Sequence, residues 1–161
     1  MPLDGADWPY VWERDSTVFK RILIVCMGNI CRSPAAEYLF RERMGSRGIE
    51  LCSAGLVALV GNPMDTTVLK LLSESGVDGT SHRALQLTSS MLLEADLVLG
   101  MEKNHVETMV QLAPEARGKV YLLDKWLGER DVPDPYGQSR SAFEHVYEMI
   151  TGGVDSWSAY L

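Results

Sequence analysis

Residues 26–34 read Cys26-Met27-Gly28-Asn29-Ile30-Cys31-Arg32-Ser33-Pro34 and follow the run Arg21-Ile22-Leu23-Ile24-Val25. That run is short, β-branched and apolar after its first residue, the pattern of a strand buried in a parallel sheet. Pro34 stands where the first turn of a helix would begin, a position that needs no N–H. Ala36, Leu39, Phe40 and Met44 recur at helical spacing over 35–44, and Gly45 and Gly48 supply the stop. Strand, loop and helix in this order open a βαβ unit.

The rest of the chain continues the alternation. Leu51 to Ala54 predicts a second strand, with Cys52 buried in it, and Thr66 to Ser75 a helix with Val68, Leu69 and Leu72 inward. A short helix is expected after Thr88 as N-cap, a third strand over Ala95 to Met101 and a helix over Glu102 to Leu112. Lys119 to Leu123 predicts a fourth strand, and a polar loop, Gly128 to Ser139, leads to a long last helix. Ser141-x-x-Glu144 reads as its capping box, and Gly152-Gly153 predicts a kink or break, at roughly 1 kcal/mol per glycine relative to Ala. The expected fold is α/β: a single three-layer domain with a four-stranded parallel β-sheet flanked by helices. In such sheets ligands bind beyond the carboxyl ends of the strands, which is where residues 26–34 sit.

The chain has 161 residues, 46% of them hydrophobic, enough for one core, with no linker, repeat or low-complexity run. Residues 1–19 form an N-terminal extension, in which Trp8, Tyr10 and Trp12 could dock on the body or on a partner, and 20–161 the domain. The extension is acidic and lacks an apolar h-region, so it does not read as a signal peptide, and no apolar stretch approaches the ~20 residues of a membrane span. A cytoplasmic protein with cysteines at rest as thiols is expected. The net charge of −7 makes nucleic acid a poor partner, because that affinity comes from neutralising phosphates.

Five residues separate Cys26 from Arg32, and Ser33 follows. If Met27 to Cys31 curl, with Gly28 supplying a tight curl or a positive φ, successive N–H groups point inward and form an anion nest, completed by the helix start. Arg32 can bind two phosphate oxygens at once. The same groups favour a Cys26 thiolate, a nucleophile for in-line attack on phosphorus, and Ser33 Oγ could donate to that sulfur. Asp134, in Asp131-Val132-Pro133-Asp134-Pro135-Tyr136, follows the fourth strand at the same end of the sheet. Stiffened by two prolines, it is placed to protonate a leaving oxygen and then to activate water. Asp131 reads as a solvated loop carboxylate. Zinc is not expected, since Cys52 is isolated and no histidine stands at a paired spacing. His105 and His145 read as solvated or packed helix residues.

Residues 26–34 joined to Asp134-Pro135-Tyr136 resemble the low-molecular-weight protein tyrosine phosphatases. The resemblance covers nearly all of 20–161 and includes Ser53-Ala54-Gly55, His82-Arg83-Ala84 and Met101-Glu102-Lys103. It implies the phosphotyrosine protein phosphatase I-like fold without metal or organic cofactor, and Cys26, Arg32 and Asp134 as nucleophile, phosphate binder and acid/base. It further implies that Met27 to Ser33 form the phosphate loop, that Asn29, Ser33 and His82 hold it, and that Leu59 and Tyr136 wall the substrate ring. Leu59 stands where many members carry Trp or Tyr. Cys31 is a candidate resolving thiol that would trap oxidised Cys26 as a disulfide, or else a packed loop residue. Residues 53–61 and 101–120 look most like the bacterial members that control exopolysaccharide or capsule synthesis, which implies as partner a phosphotyrosine protein such as the tail of a membrane autokinase. A monomer or weak dimer without membrane insertion is expected.

Rival readings come from the same loop. An arsenate reductase needs further cysteines to relay oxidation, and Cys52 is poorly placed. A phosphoarginine phosphatase carries Thr where Ile30 stands. A non-enzymatic phosphate-binding module would need neither thiolate nor acid. The nucleotide-binding glycine motifs are absent.

Overall fold

A computed structural model describes residues 19–45 and 47–161; the extension with Trp8, Tyr10 and Trp12 lies outside the described residues. Four strands, β1 (Arg21–Cys26), β2 (Glu50–Gly55), β3 (Leu97–Gly100) and β4 (Val120–Leu122), form one parallel sheet in the order β2-β1-β3-β4. Between and after them run α1 (Arg32–Met44), α2 (Thr66–Glu74), α3 (Ser89–Glu94), α4 (Lys103–Leu112) and α5 (Arg140–Ser158). A 3₁₀ turn over Pro114–Lys119, which the sequence did not announce, delivers the chain to β4.

The period of two in β1 divides the core. Ile22 and Ile24, with Leu97 and Leu99 of β3, pack under α1, α2 and α5, and Phe19 joins them. Leu23, Val25 and Val98 face the other way, onto Leu92 of α3, Met109 of α4 and Ala116. Each internal strand is therefore apolar on both sides, as a sheet between two helical layers requires.

Several local expectations change on contact with the tertiary structure. The last helix is capped by Ser139, whose hydroxyl accepts from Ala142 N at 3.3 Å, not by Ser141. It also runs unbroken through Gly152 and Gly153. The second glycine lets the helix approach the end of β4: a Cβ there would lie 2.7 Å from Leu123 Cγ and 3.1 Å from its carbonyl oxygen. Thr88 caps α3 as expected, accepting from Met91 N at 3.2 Å. Cys52 is only half-buried.

The order β2-β1-β3-β4 has a consequence for function. The chain leaves β1 toward β2 on one side, while β3 and β4 extend on the other. The loops after β1 and β3 therefore part, and a crevice opens between their carboxyl ends. Residues 26–34 line one bank and Met101-Glu102-Lys103 the other.

Gly153→Ala should destabilise the fold by about 1–3 kcal/mol through overpacking against Leu123, read as a lowered denaturant midpoint with unchanged slope. Gly152→Ala, facing only Leu127 Cδ1 at 3.3 Å, should cost far less.

Candidate active site

Every carbonyl from Cys26 to Cys31 is engaged by a donor outside the loop. Leu56 N bonds Cys26 O at 2.9 Å, Val57 N bonds Met27 O at 2.9 Å and Leu59 N bonds Gly28 O at 3.1 Å. His82 Nε2 reaches Asn29 O at 2.7 Å, Asp65 N reaches Ile30 O at 2.9 Å and Ala35 N reaches Cys31 O at 3.2 Å. In a planar trans peptide the C=O of one residue opposes the N–H of the next. Carbonyls drawn outward at 26–31 thus turn the N–H groups of Met27 to Arg32 toward the loop's own centre. Amides so turned have the disposition of an anion nest.

Two residues make this curl possible. The positive φ falls on Asn29 (60°), not on Gly28; Asn tolerates that region because its short polar side chain bonds locally. Gly55, at the end of β2, is required for a different reason. A Cβ there would lie 2.6 Å from Met27 O and 3.0 Å from the Gly28 carbonyl carbon, so no larger residue lets the loop come so close.

Beneath the loop a buried hydrogen-bond chain has its polarity fixed from both ends. Asn29 Oδ1 accepts from Leu85 N at 2.8 Å, which leaves both Nδ2 protons for Ser33 Oγ at 2.8 Å and Ser53 Oγ at 2.9 Å. Ser53 then passes its own proton to the buried Glu37 Oε1 at 2.6 Å. Ser33, already accepting from Asn29, has its hydroxyl proton free for Cys26 Sγ, 2.9 Å away. The Ser33 hydroxyl is thus placed to donate to the sulfur at the end of β1.

Cys26 lies on the floor of a cavity of about 200 Å³ that Met27, Gly28, Ile30, Cys31, Arg32, Val57, Leu59, Asp134 and Tyr136 complete. Arg32 is buried, and its Nη1 donates to Glu102 Oε2 at 2.5 Å and to Val132 O at 2.8 Å. Glu102 thus spans the crevice from β3 to brace the guanidinium. Asp134 stands at the mouth, half-exposed, with Oδ2 3.7 Å from Arg32 Nη2 and Oδ1 accepting from Tyr136 N at 3.0 Å. Its loop is fastened on the near side by Val132 N to Met101 O at 2.8 Å. Further back, buried Asp124 accepts from Arg130 N, Nε and Nη2, each at 2.9 Å. Leu59 and Tyr136 flank the opening, and Val57 extends it with exposed aliphatic surface.

The structure brings together the loop residues 26–33 with His82, Leu59, Asp134 and Tyr136, and it adds others. Glu37, Ser53, Glu102 and the Val132 carbonyl carry the loop and its arginine; Ser53-Ala54-Gly55 and Met101-Glu102-Lys103 mark two of them by resemblance, but spacing alone gives none of them its partner. Glu102 could have been found from its place after the strand beside β1. Asp131 is not merely solvated: its Oδ1 accepts from Lys103 N at 2.9 Å and closes the start of α4. Burial, followed by the charges of Asp65 and Cys26, pushes the Cys31 thiol far up, so it rests protonated and is a slow attacker. Among the described residues no cluster of His, Cys, Asp and Glu could hold a metal ion.

Residues 21–161 match the family described as low molecular weight phosphotyrosine protein phosphatase. The low molecular weight protein-tyrosine-phosphatase Etp of Escherichia coli K12 is 42% identical over 143 residues, 89% of this chain and 95% of Etp. The structure of Vibrio vulnificus Wzb in complex with benzylphosphonate superposes with a TM-score of 0.84 at 41% identity, covering 89% of this chain and 99% of that one. The YwlE arginine phosphatase of Geobacillus stearothermophilus superposes with a TM-score of 0.81 at 30% identity, covering 88% of this chain and 92% of that one.

Asn29→Gly keeps the backbone free to adopt positive φ but deletes three buried hydrogen bonds. It should lower stability by about 2–3 kcal/mol and kcat/KM for an aryl phosphate at least tenfold, measured by urea unfolding and steady-state kinetics. Asn29→Ala should be worse by about 1 kcal/mol of left-handed strain.

Proposed function

The chain belongs to the low molecular weight phosphotyrosine protein phosphatases, and from that premise we propose that Cys26, Arg32 and Asp134 carry out phosphotyrosine hydrolysis here. The observation that carries the assignment is the set of outward carbonyls at 26–31, which by peptide planarity turns the N–H groups of Met27 to Arg32 toward the loop interior. A phosphoryl group seated there has its nonbridging oxygens among those amides and along the free edge of Arg32. Sulfur attacks phosphorus in line, and the phenolic oxygen leaves toward the mouth, where Asp134 gives it a proton. Water entering from the same side, deprotonated by Asp134, then cleaves the phosphocysteine. Ser33 steadies the departing sulfur.

The opening favours an extended aromatic ester. Leu59, Val57 and Tyr136 line the opening with a collar that a phenyl ring can pack against and that the short phosphoserine side chain, lacking a ring, cannot use in the same way. Ile30 argues against phosphoarginine, because a branched apolar side chain on the cavity wall meets a guanidinium poorly. The physiological substrate is a protein bearing phosphotyrosine, specifically the tyrosine-rich tail of a membrane autokinase in exopolysaccharide or capsule regulation. Support comes from the likeness of residues 53–61 and 101–120 to the bacterial members with that role. Among the described residues no helix is long and apolar enough to cross a membrane.

Steady-state comparison of phosphotyrosine, phosphoserine and phosphoarginine peptides, with arsenate reduction as control, tests the substrate class. Phosphotyrosine should lead by at least a hundredfold in kcat/KM; a lead for phosphoarginine overturns the reading. Cys26→Ser should abolish turnover while retaining phosphate binding. Asp134→Ala should slow phenyl phosphate by 10²–10⁴-fold, the usual weight of general acid catalysis, but nitrophenyl phosphate much less, since that leaving group needs little protonation. Equal losses on the two esters would remove Asp134 from the acid role.

A further inference from the structure

His105, the third residue of α4, is a buried titratable group that the reaction does not use. Its side chain is 3% exposed, and Nδ1 is buried without a hydrogen-bond partner among the described residues. The other nitrogen, Nε2, lies 3.7 Å from Glu102 Oε2, the oxygen that takes Arg32 Nη1 at 2.5 Å. A buried donor left unpaired costs more than a buried lone pair left unpaired, so the neutral ring carries its proton on Nε2, facing the carboxylate. Glu102 is then held between a guanidinium and an imidazole N–H.

We propose that His105 is a positioning residue for Arg32, acting through Glu102: the imidazole fixes the carboxylate that in turn fixes the guanidinium edge offered to phosphate. The inference rests on the reading of Arg32 as the phosphate binder. At 3.7 Å the contact is a charge–dipole contact and not a hydrogen bond. The carboxylate therefore gives most of its charge to Arg32 while it is prevented from swinging away. Removing the N–H frees Glu102 to rotate toward the crevice opening, and Nη1 follows it, since Val132 O supplies only one of its two bonds.

The same arrangement couples phosphate binding to a proton. Four charged groups act on the imidazole: Glu102, Asp131 and Asp134 favour its protonation and Arg32 opposes it. Burial is the largest influence and favours the neutral ring, holding the group below its ordinary value of 6.5. A phosphate dianion beside Arg32 offsets the charge that opposes protonation. By linkage, a protonated His105 must then tighten phosphate, and neither Cys26 nor Asp134 need titrate for this to appear.

The test measures competitive inhibition by inorganic phosphate, corrected for the dianion fraction, between pH 5 and 8. At pH 7.5 His105→Leu, which fills the space without a donor, should weaken phosphate at least fivefold. His105→Gln, whose Nε2 replaces the ring donor, should stay within twofold of the parent. In the parent enzyme phosphate should bind more tightly as pH falls below about 6.5, and His105→Gln should lose that dependence. Unchanged inhibition in His105→Leu, or a His105→Gln variant as weak as His105→Leu, overturns the proposal. If His105→Leu does not fold, the pH arm decides alone: a dependence surviving in His105→Gln overturns it. Arg32→Lys separates the two levels of inference. Should it leave phosphate inhibition unchanged, the reading of Arg32 fails; should it abolish inhibition while the histidine variants do nothing, only the role of His105 fails.

Discussion

Six consecutive backbone carbonyls turned away from one sulfur are the constraint from which the rest of the site follows. An isolated chain would not hold this curl, because amides pointing at one another repel and find no internal acceptor. The surroundings pull each carbonyl outward instead. Residues 56, 57 and 59 do so after β2, Asp65 before α2, His82 from a later loop, and Ala35 from the first turn of α1. The nest is thus made by four separate segments, and the nine residues of the motif only comply with it. Gly55 shows how tight the compliance is, since a single methyl group there would collide with the loop backbone.

Arg32 presents the complementary problem of a fully charged group with 2% exposure. Leaving such a charge uncompensated would cost about 3–5 kcal/mol, and Glu102 removes that penalty from across the crevice. The strut joins the loop after β1 to the loop after β3 at the point where the sheet's connections diverge. Two elements that topology would let separate are held together by the residue pair that also aims the guanidinium. Joining the two loops and aiming the guanidinium are therefore one interaction seen from two sides.

The sequence made the sheet, the helices and the reacting groups legible because their signals are local. β1 announces itself by apolar content, α1 by periodicity, and the loop by Cys26, Arg32 and Ser33 within eight residues. What it hid depends on distant pairing. Glu102 meets Arg32 across 70 residues of chain, and Ser53 meets Glu37 across 16, so no spacing rule reveals them. Gly28 and Gly153 show a related limit. In sequence a glycine signals backbone freedom, yet the positive φ falls on Asn29 and Gly153 makes room for Leu123. The cap at Ser139 was displaced by two residues because Ser141 offers an equally good pattern and only the chain's path chooses between them.

Asp134 is fastened on both sides: Val132 is tied to Met101 and Arg32, while Tyr136 N and Gln138 Nε2 bond Asp134 itself. A carboxyl so moored needs no flap to swing shut before each catalytic cycle. On the reading of Asp134 as the acid, turnover begins from this seated position, and thickening the solvent with sucrose should slow it only as far as it slows the arrival and departure of reactants. An enzyme built this way trades the selectivity that an enclosing lid provides for a reaction centre that is ready whenever a phosphorylated ring reaches it.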